Sequence, residues 1–252
     1  MTASSDDLVQ HQRTLYESKN PTRRWLHCSR RDQILHWIDT KVVTGVDALE
    51  IGPGSGVYLP FLARRFRTVL ALDCEHAYLR HAETLRAEFP NITTRVDDIT
   101  RCSAASASVD FILCSEVIEH IERSDLAIQE MRRLLRPGGL LLISTPQRWS
   151  TLEVTARIAL SPMLIPLTKA IYREPVLEMG HINLMTETTV KQQLHSARFE
   201  IVDSHKSGLY IPILAEIGGS VAARLLRATE TKIRRGPLSA LLWTQFYLAR
   251  AN

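Results

Sequence analysis

The sequence predicts an α/β fold, with a doubly wound, mostly parallel sheet of seven strands. Three observations indicate this class. Segments of strand and helix character alternate over the first 146 residues, the first strand runs into a glycine-rich loop, and 252 residues with 45% hydrophobic side chains suit one large domain. Right-handed crossovers between parallel strands then place helices on both faces of the sheet.

The predicted elements follow one another in a regular order. Helical spacing of apolar side chains comes first, at residues 21–39. Helices are next predicted at residues 58–66, 77–89, 125–135 and 186–197, and strands at residues 48–51, 68–72, 92–96, 109–114, 140–144, 199–202 and 245–249. We therefore predict an N-terminal helical segment, residues 1–40, and one domain, residues 41–252, with inserts at about 147–185 and 205–240.

Charge and composition exclude several classes. The net charge of +4 is unevenly distributed, because the residues from 221 onward include six Lys or Arg residues and only one acid, Glu230. A nucleic-acid footprint is usually broader, so we expect no nucleic-acid partner. The basic and apolar side chains of residues 224–235 are typical either of a helix on an anionic membrane surface or of a solvated helix face.

Location is predicted from what the chain lacks. No apolar run reaches the roughly 18 residues of a membrane span, and Asp6 and Asp7 stand where a signal peptide has positive charge. The four cysteines form no C-x-x-C pair, which favours reduced thiols and argues against a zinc ribbon. We therefore expect a cytoplasmic protein, with a peripheral membrane position as the alternative.

The glycine-rich loop is the first candidate site. Residues 48–56 read ALEIGPGSG, so a buried strand leads into Gly52, Gly54 and Gly56. Such a loop lets the backbone approach a ligand closely, although a structural turn remains the alternative. The dinucleotide fingerprint G-x-G-x-x-G is not met, because the spacing here is G-x-G-x-G.

Acidic residues at the ends of the next two strands sharpen the interpretation. Asp73 lies 21 residues after Gly52, where a carboxylate can accept both hydroxyls of a ribose. Asp97 and Asp98 end the third strand, where a carboxylate can meet an adenine amino group. The alternative for each is an acid at the surface end of a strand.

A second cluster, Glu116, Glu119 and His120, follows the fourth strand. If a helix begins there, the three side chains share one face. They then can bind a divalent cation, hold a substrate hydroxyl near a base, or form a hydrogen-bonded helix start.

Five stretches in this order resemble the class I S-adenosylmethionine-dependent methyltransferases: LEIGPGSG, VLALD, VDDIT, FILCSEVIEHI and LLRPGGLLLISTP. The resemblance covers residues 45–146 and continues more weakly through GHINLMT and FEIVDS. It implies a Rossmann-like methyltransferase fold, S-adenosylmethionine as cofactor and S-adenosylhomocysteine as product. By resemblance, the methionine part lies among Glu50, Gly52, Gly54 and Gly56, the ribose at Asp73, the adenine between Asp98 and Ile99, and the sulfonium near Ser115.

The run SEVIEH is similar to the ubiquinone-biosynthesis O-methyltransferases. That similarity implies a divalent cation such as Mg²⁺ at Glu116, Glu119 and His120. Gly180–His181 resembles the downstream Gly-Thr-His of the same group, without its threonine. A hydroxyl acceptor must lose its proton, and the candidates for this work are His120 and His181, with Glu119 beside them. The alternative for His181 is a lid histidine that makes structural hydrogen bonds. His120 cannot both bind a metal and act as the base.

Both inserts begin at the carboxyl edge of the sheet, where ligands bind in such folds, so we expect them to form a lid. Their apolar side chains predict a lipid, quinone or aromatic acceptor, although packing of the lid onto the core explains them equally well. The alternatives are N- or C-methylation, and a catalytically inactive S-adenosylmethionine-binding partner. The apolar residues in question are Leu160, Met163, Leu164, Ile165, Leu167, Ile171, Ile211, Ile213, Leu214, Leu225 and Leu226.

Overall fold

The computed structural model describes residues 14–159 and 181–252. Seven strands form one sheet in the order β3-β2-β1-β4-β5-β7-β6. Strands β1 to β5 run parallel to one another, whereas β7 runs antiparallel to both β5 and β6. The strands are Asp47–Ile51 (β1), Thr68–Asp73 (β2), Ile92–Val96 (β3), Val109–Ser115 (β4), Leu135–Pro146 (β5), Phe199–Ser207 (β6) and Thr244–Ala251 (β7). The predicted seven-stranded, mostly parallel sheet is confirmed.

Eight helices accompany these strands in the described residues. They are Pro21–Lys41 (α1), Leu59–Arg65 (α2), His76–Leu85 (α3), Ser124–Leu134 (α4), Thr151–Ala159 (α5), Glu187–Ser196 (α6), Pro212–Ile217 (α7) and Gly219–Ile233 (α8). Helices α4 and α6 pack on one face of the sheet, and α1, α2 and α3 pack on the other. Alternate strand residues serve the two cores, as with Leu49 and Ala48 of β1.

Helix α1 is tied to both the sheet and the C-terminal helices. The Asn20 side chain accepts hydrogen bonds from the N–H groups of Thr22 and Arg23, which starts the helix. Leu26 joins a third core that also contains Ala215 of α7 and Leu226 of α8, whereas Ile34, Trp37 and Ile38 pack against the sheet.

Three local predictions are corrected. Glu116 does not begin an α-helix, because its φ is +57° and only a short 3₁₀ turn, Ile118–His120, follows before α4. Strand β5 begins at Leu135 rather than residue 140, since Leu135 pairs with Val109 and the glycines form an irregularity within the strand. Strand β6 extends to Ser207, so the helices of the last insert start only at Pro212.

Part of the predicted lid lies outside the described residues. This applies to residues 160–180, with Leu160, Met163, Leu164, Ile165, Leu167 and Ile171, and to the side chain of Ile213. Among the residues that the structure describes, no helix combines the length and the apolar character that crossing a bilayer requires.

Candidate functional site

The candidate residues gather at the carboxyl edge of the sheet. The strand order reverses between β1 and β4, so the connections after these strands leave in opposite directions and open a crevice. The glycine loop lies on the β1 side of this crevice, and the segment with Glu116, Glu119 and His120 lies on the β4 side.

The glycine loop has a backbone that only glycine adopts easily. Gly52, Gly54 and Gly56 have φ values of +65°, +49° and +69°. A Cβ atom on Gly52 would lie 2.5 Å from Cγ2 of Val117, and one on Gly56 would lie 2.8 Å from Cδ2 of His81. The N–H of Gly52 donates to Leu72 O and the N–H of Gly56 donates to Pro53 O, so the loop is a tight turn in which no glycine places a side chain at the crevice. We call this loop the glycine cradle.

Glu50 is the buried acid beneath this loop. Its side chain is 2% exposed, and Oε2 has no hydrogen-bond partner among the described residues. Burial raises the pKa of Glu50 to about 8, so the group is largely protonated at neutral pH in the ligand-free protein. Because buried polar atoms normally have a hydrogen-bond partner, Oε2 of Glu50 is a candidate acceptor for a hydrogen bond from a ligand.

Asp73 ends β2 and lies half-buried at the crevice. The N–H of Glu75 donates to Asp73 Oδ1 over 3.0 Å. Burial raises the pKa of Asp73, and the hydrogen bond from Glu75 opposes that shift. The carboxylate is partly exposed at the strand end, where it can accept from a hydroxyl of a ligand.

The two acids after β3 have different surroundings. Asp97 accepts from the N–H and the hydroxyl of Ser103, at 2.9 and 2.6 Å, so its carboxylate closes a turn. Asp98 accepts from the N–H and hydroxyl of Thr100 and caps a 3₁₀ turn, Ile99–Arg101. These bonds lower the pKa of both acids, and the side chain of Asp98 is still 40% exposed. Ile99 is buried in the core beneath them.

Glu116 is held by a residue far away in the sequence. Nη1 of Arg30 on α1 donates to Glu116 Oε2 over 2.7 Å, and the Ser144 hydroxyl donates to Oε1 over 3.0 Å. Burial alone would lower the pKa of Arg30, but the charge of Glu116 outweighs it and raises that pKa. Ser115 completes the group, with its Oγ 3.0 Å from that of Ser144.

Glu119 is fully buried and points toward the neighbouring strand end. The Thr145 hydroxyl donates to Glu119 Oε2 over 3.0 Å, whereas Oε1 has no partner among the described residues. Burial, and then the charge of Glu116, raise the pKa of Glu119 well above its usual range. Its backbone oxygen accepts from the N–H groups of Ile182 and Asn183, which ties the end of the first insert to the site.

The two candidate bases lie side by side. The ring centroids of His120 and His181 are 5.2 Å apart, and possible ligand atoms of Glu119, His120 and His181 all lie within 4.8 Å of one another. This group differs from the predicted metal set, because Glu116 is engaged by Arg30 and His181 takes its place. One carboxylate and two imidazoles can bind a divalent cation or move a proton.

A buried acid stands behind His181. Glu153 on α5 is 3% exposed, its Oε1 lies 3.4 Å from Nδ1 of His181, and it accepts from Nε1 of Trp243 over 3.1 Å. The ring of Trp243 also lies under the Arg30 guanidinium, at 5.3 Å. Trp243 therefore contacts both Glu153, which lies beside His181, and Arg30, which binds Glu116.

Sequence reasoning missed Arg30, Glu153 and Trp243 as site residues. The sequence did contain a signal for Arg30, because the buried stripe of α1 runs through Leu26, Arg30 and Ile34 and places a cation on an apolar face. Glu153 and Trp243 had none, because the chain separates them by 90 residues.

The residues fit the cofactor that the resemblance implies. A glycine cradle accommodates a methionine backbone, while the buried Oε2 of Glu50 and Nε of Arg30 lack partners among the described residues. Oε2 of Glu50 can therefore accept a hydrogen bond from the amino group of S-adenosylmethionine, and Nε of Arg30 can donate one to its carboxylate. Asp73 offers an oxygen for a ribose.

Comparisons with known proteins agree with this fit. A family described as "Methyltransferase domain" matches residues 13–204. A probable S-adenosylmethionine-dependent methyltransferase of Mycolicibacterium smegmatis is 30% identical over 196 residues, which are 76% of this chain and 68% of that protein. A ubiquinone biosynthesis O-methyltransferase of Paracidovorax citrulli is 32% identical over 118 residues, 45% of this chain and half of the relative's length.

Solved structures share the fold at low identity. The N-methyltransferase NodS from Bradyrhizobium japonicum, in complex with S-adenosyl-L-homocysteine, superposes with a TM-score of 0.59 at 17% identity, over 97% of this chain and 98% of that one. The Galdieria sulphuraria structure titled as a sarcosine dimethylglycine methyltransferase gives 0.62 at 15% identity, over 98% of each chain.

Proposed function

The chain belongs to the class I S-adenosylmethionine-dependent methyltransferases, and from this premise we propose that it methylates a hydroxyl of a small apolar acceptor. The group of Glu119, His120 and His181 carries the proposal. A hydroxyl becomes a good nucleophile only when its proton is taken up, and two imidazoles beside a buried carboxyl supply that capacity.

We assign cofactor binding to the β1 side of the crevice. Glu50 and the loop Gly52, Gly54 and Gly56 surround the methionine part, and Arg30 donates to its carboxylate. Asp73 contacts the ribose, Asp98 and Ile99 contact the adenine, and Ser115 lies near the sulfonium. When bound, S-adenosylmethionine supplies an electrophilic methyl group and a neutral leaving group.

His181 is the proposed base and Glu153 its positioning residue. Nδ1 of His181 is buried 3.4 Å from Glu153 Oε1 without forming a hydrogen bond. We assign Nε2 as the ring nitrogen that accepts the proton of the acceptor hydroxyl. Burial and the charge of Glu116 raise the pKa of Glu119, and in this position its carboxyl group orients the acceptor by hydrogen bonding.

A divalent cation is the competing way to activate the hydroxyl. At Glu119, His120 and His181, or at the predicted set Glu116, Glu119 and His120, it would lower the pKa of a bound hydroxyl. Dialysis against EDTA decides between the two. Full activity after chelation supports the histidine base, whereas activity lost and restored by Mg²⁺ or Zn²⁺ assigns the cluster to metal.

Support for an apolar acceptor comes from the acceptor side of the crevice. Trp149, Ile158 and Ile182 are 55%, 57% and 68% exposed next to the strand end and the insert that lead into the site. The relative from Paracidovorax citrulli is named as acting in ubiquinone biosynthesis. N-methylation is the second candidate, favoured by the fold shared with NodS.

The test is methyl-labelled S-adenosylmethionine incubated with the protein and a cell extract, followed by partition between organic and aqueous phases. We expect protein-dependent label in the organic phase, in a product whose methyl group mass spectrometry places on oxygen. Label confined to the aqueous phase, or a methyl group on nitrogen or carbon, would reject the proposed acceptor. An absence of transfer with intact cofactor binding would instead favour an inactive binding partner.

The base is tested in the same assay. His181→Ala should lower turnover about 100-fold, because general base catalysis has that order of effect, while the affinity for S-adenosylhomocysteine stays within about twofold. Glu153→Gln should shift the pH profile of turnover, an effect that a purely structural role would not produce. The exposed His195→Ala is the matched control. If His181→Ala and His195→Ala behave alike, His181 is not the base.

A further inference from the structure

Helices α7 and α8 expose a line of large apolar side chains. Ile217, Val221 and Leu225 succeed one another at intervals of four residues and are 77%, 64% and 56% exposed. We call these three residues the α8 crest. Of eleven exposed large hydrophobic side chains in the described residues, five lie between residues 211 and 238, so the exposure is concentrated here.

The crest points away from the protein core. Ala222, Ala223 and Leu226 form the buried side of α8, and Leu226 packs with Leu26 of α1. Because 3.6 residues make one turn, Val221 and Leu225 lie about 40° apart around the helix, on its exposed side and beside the buried face rather than within it. Packing of the described residues therefore does not account for the apolar character of the crest.

Cations accompany the crest, and acids do not. Arg224, Lys232 and Arg235 are exposed on the same side of α8 or just after it. The one acid between residues 218 and 243 is Glu230, which is 2% exposed. It is already engaged, since it accepts from the N–H groups of Gly208 and Leu209 and from Arg234. The outer face is thus apolar and cationic together.

Just before the crest, the remaining acid of α7 is also neutralised. Glu216 pairs with Arg23 over 2.9 Å and accepts from the side chains of Asn20 and Tyr210. It is directed toward α1 rather than toward the crest. No exposed carboxylate among the described residues of α7 and α8 therefore opposes an anionic partner.

We propose that the α8 crest docks on an anionic lipid surface. The three apolar side chains would enter the boundary between headgroups and acyl chains, and Arg224, Lys232 and Arg235 would meet lipid phosphates. Long cationic side chains extend their charged ends to that depth while their methylene groups remain in contact with apolar surface.

Charge argues for a membrane over a second copy of the chain. A twofold interface brings the same patch of two molecules together, so a dimer through the crest would bring the two cationic groups of Arg224, Lys232 and Arg235 near each other. An anionic bilayer satisfies the apolar line and the cations at once. The proposal does not depend on the acceptor, because docking is measured without methyl transfer.

The experiment is co-sedimentation of the full chain with vesicles of phosphatidylcholine, alone or with about 30% phosphatidylglycerol. We expect binding to the anionic vesicles, at least about tenfold weaker binding to the neutral ones, and a further decline as salt rises. The double variant Val221→Ser/Leu225→Ser and the triple variant Arg224→Gln/Lys232→Gln/Arg235→Gln should each lose at least about tenfold in affinity.

Two controls are matched to these changes. Val43→Ser alters an apolar side chain that is 72% exposed before β1, and Arg64→Gln/Arg86→Gln/Arg95→Gln removes three cations near the β3 edge of the sheet. Both should bind like the parent, and thermal unfolding should show that all variants are folded. Equal losses in test and control variants, or no binding to anionic vesicles, would overturn the proposal. A dimer in light scattering that the crest variants dissociate would assign the crest to a second copy.

Discussion

The two halves of the carboxyl edge are built in different ways. The cofactor half comes from one continuous stretch, since every residue from Glu50 to Ile99 that we assign to it lies on β1, β2, β3 or the loops after them. The acceptor half is assembled from Glu116, Glu119, Glu153, His181 and Trp243, which lie far apart in the chain. Arg30, which binds Glu116 and which we also assign to the cofactor carboxylate, joins the two halves. A site of the first kind is visible as a motif, whereas one of the second kind exists only after folding.

The largest expected effect tests the long-range bond of the acceptor half. Arg30→Met leaves the largely buried Glu116 carboxylate without its cation, so the free energy of unfolding should fall by about 3 kcal/mol in chemical denaturation. Arg30→Met/Glu116→Gln should regain most of that loss. The exposed pair of Arg64 and Glu88 provides the control, because Arg64→Met should leave the unfolding midpoint unchanged. Equal losses in Arg30→Met and Arg64→Met would mean that α1 is held by packing alone.

The next effect tests the local geometry of the cofactor half. Gly52→Ala puts a methyl group 2.5 Å from Val117 at a φ of +65°, so the loop must shift. The affinity for S-adenosylhomocysteine in calorimetry should fall about 100-fold, or about 2.7 kcal/mol. Gly138→Ala carries similar backbone strain at φ +78° in open space, and should leave the affinity unchanged. An unchanged affinity in Gly52→Ala would remove the cofactor from this loop.

The last effect is a slope with pH rather than a single difference, and it concerns Glu50, the buried acid of the cofactor half. Its pKa in the folded protein is about 8, above its value in the unfolded chain, so the folded state binds the extra proton. Stability is therefore highest below about pH 4.5 and declines as pH rises toward 8, by up to about 1.4 kcal/mol per pH unit from this group. Glu50→Gln should flatten that slope in denaturation of the ligand-free protein between pH 5 and 8. Identical slopes would show that Glu50 is ionised in the fold.

These contrasts explain what the sequence predicted well. Alternating strands and helices, the strand ends at Ile51 and Asp73, and the glycine spacing all depend on neighbours in the chain, so the sheet and the cofactor half were foreseeable. β7 was also foreseeable as a strand, from its run of β-forming side chains. Its place between β5 and β6 depends on pairing across the fold.

The rest depended on contacts between distant residues. The helix considered at Glu116 is replaced by a left-handed residue, whose carboxylate accepts hydrogen bonds from Arg30 and Ser144. Glu153 gave no signal, since its two partners, His181 and Trp243, come from other parts of the chain. A pattern in one sequence shows which residues share an element, but not which elements meet.

The position of β7 also has a consequence during synthesis of the protein. β7 is the last strand in chain order, yet it lies between β5 and β6. Strands β1 to β5, with the cofactor half, leave the ribosome well before residues 244–251 do. Until then, β5 and β6 have open edges, which attract other chains. The acceptor half, with Trp243 just before β7, therefore matures last, and a translational pause before residue 244 would prolong the aggregation-prone stage.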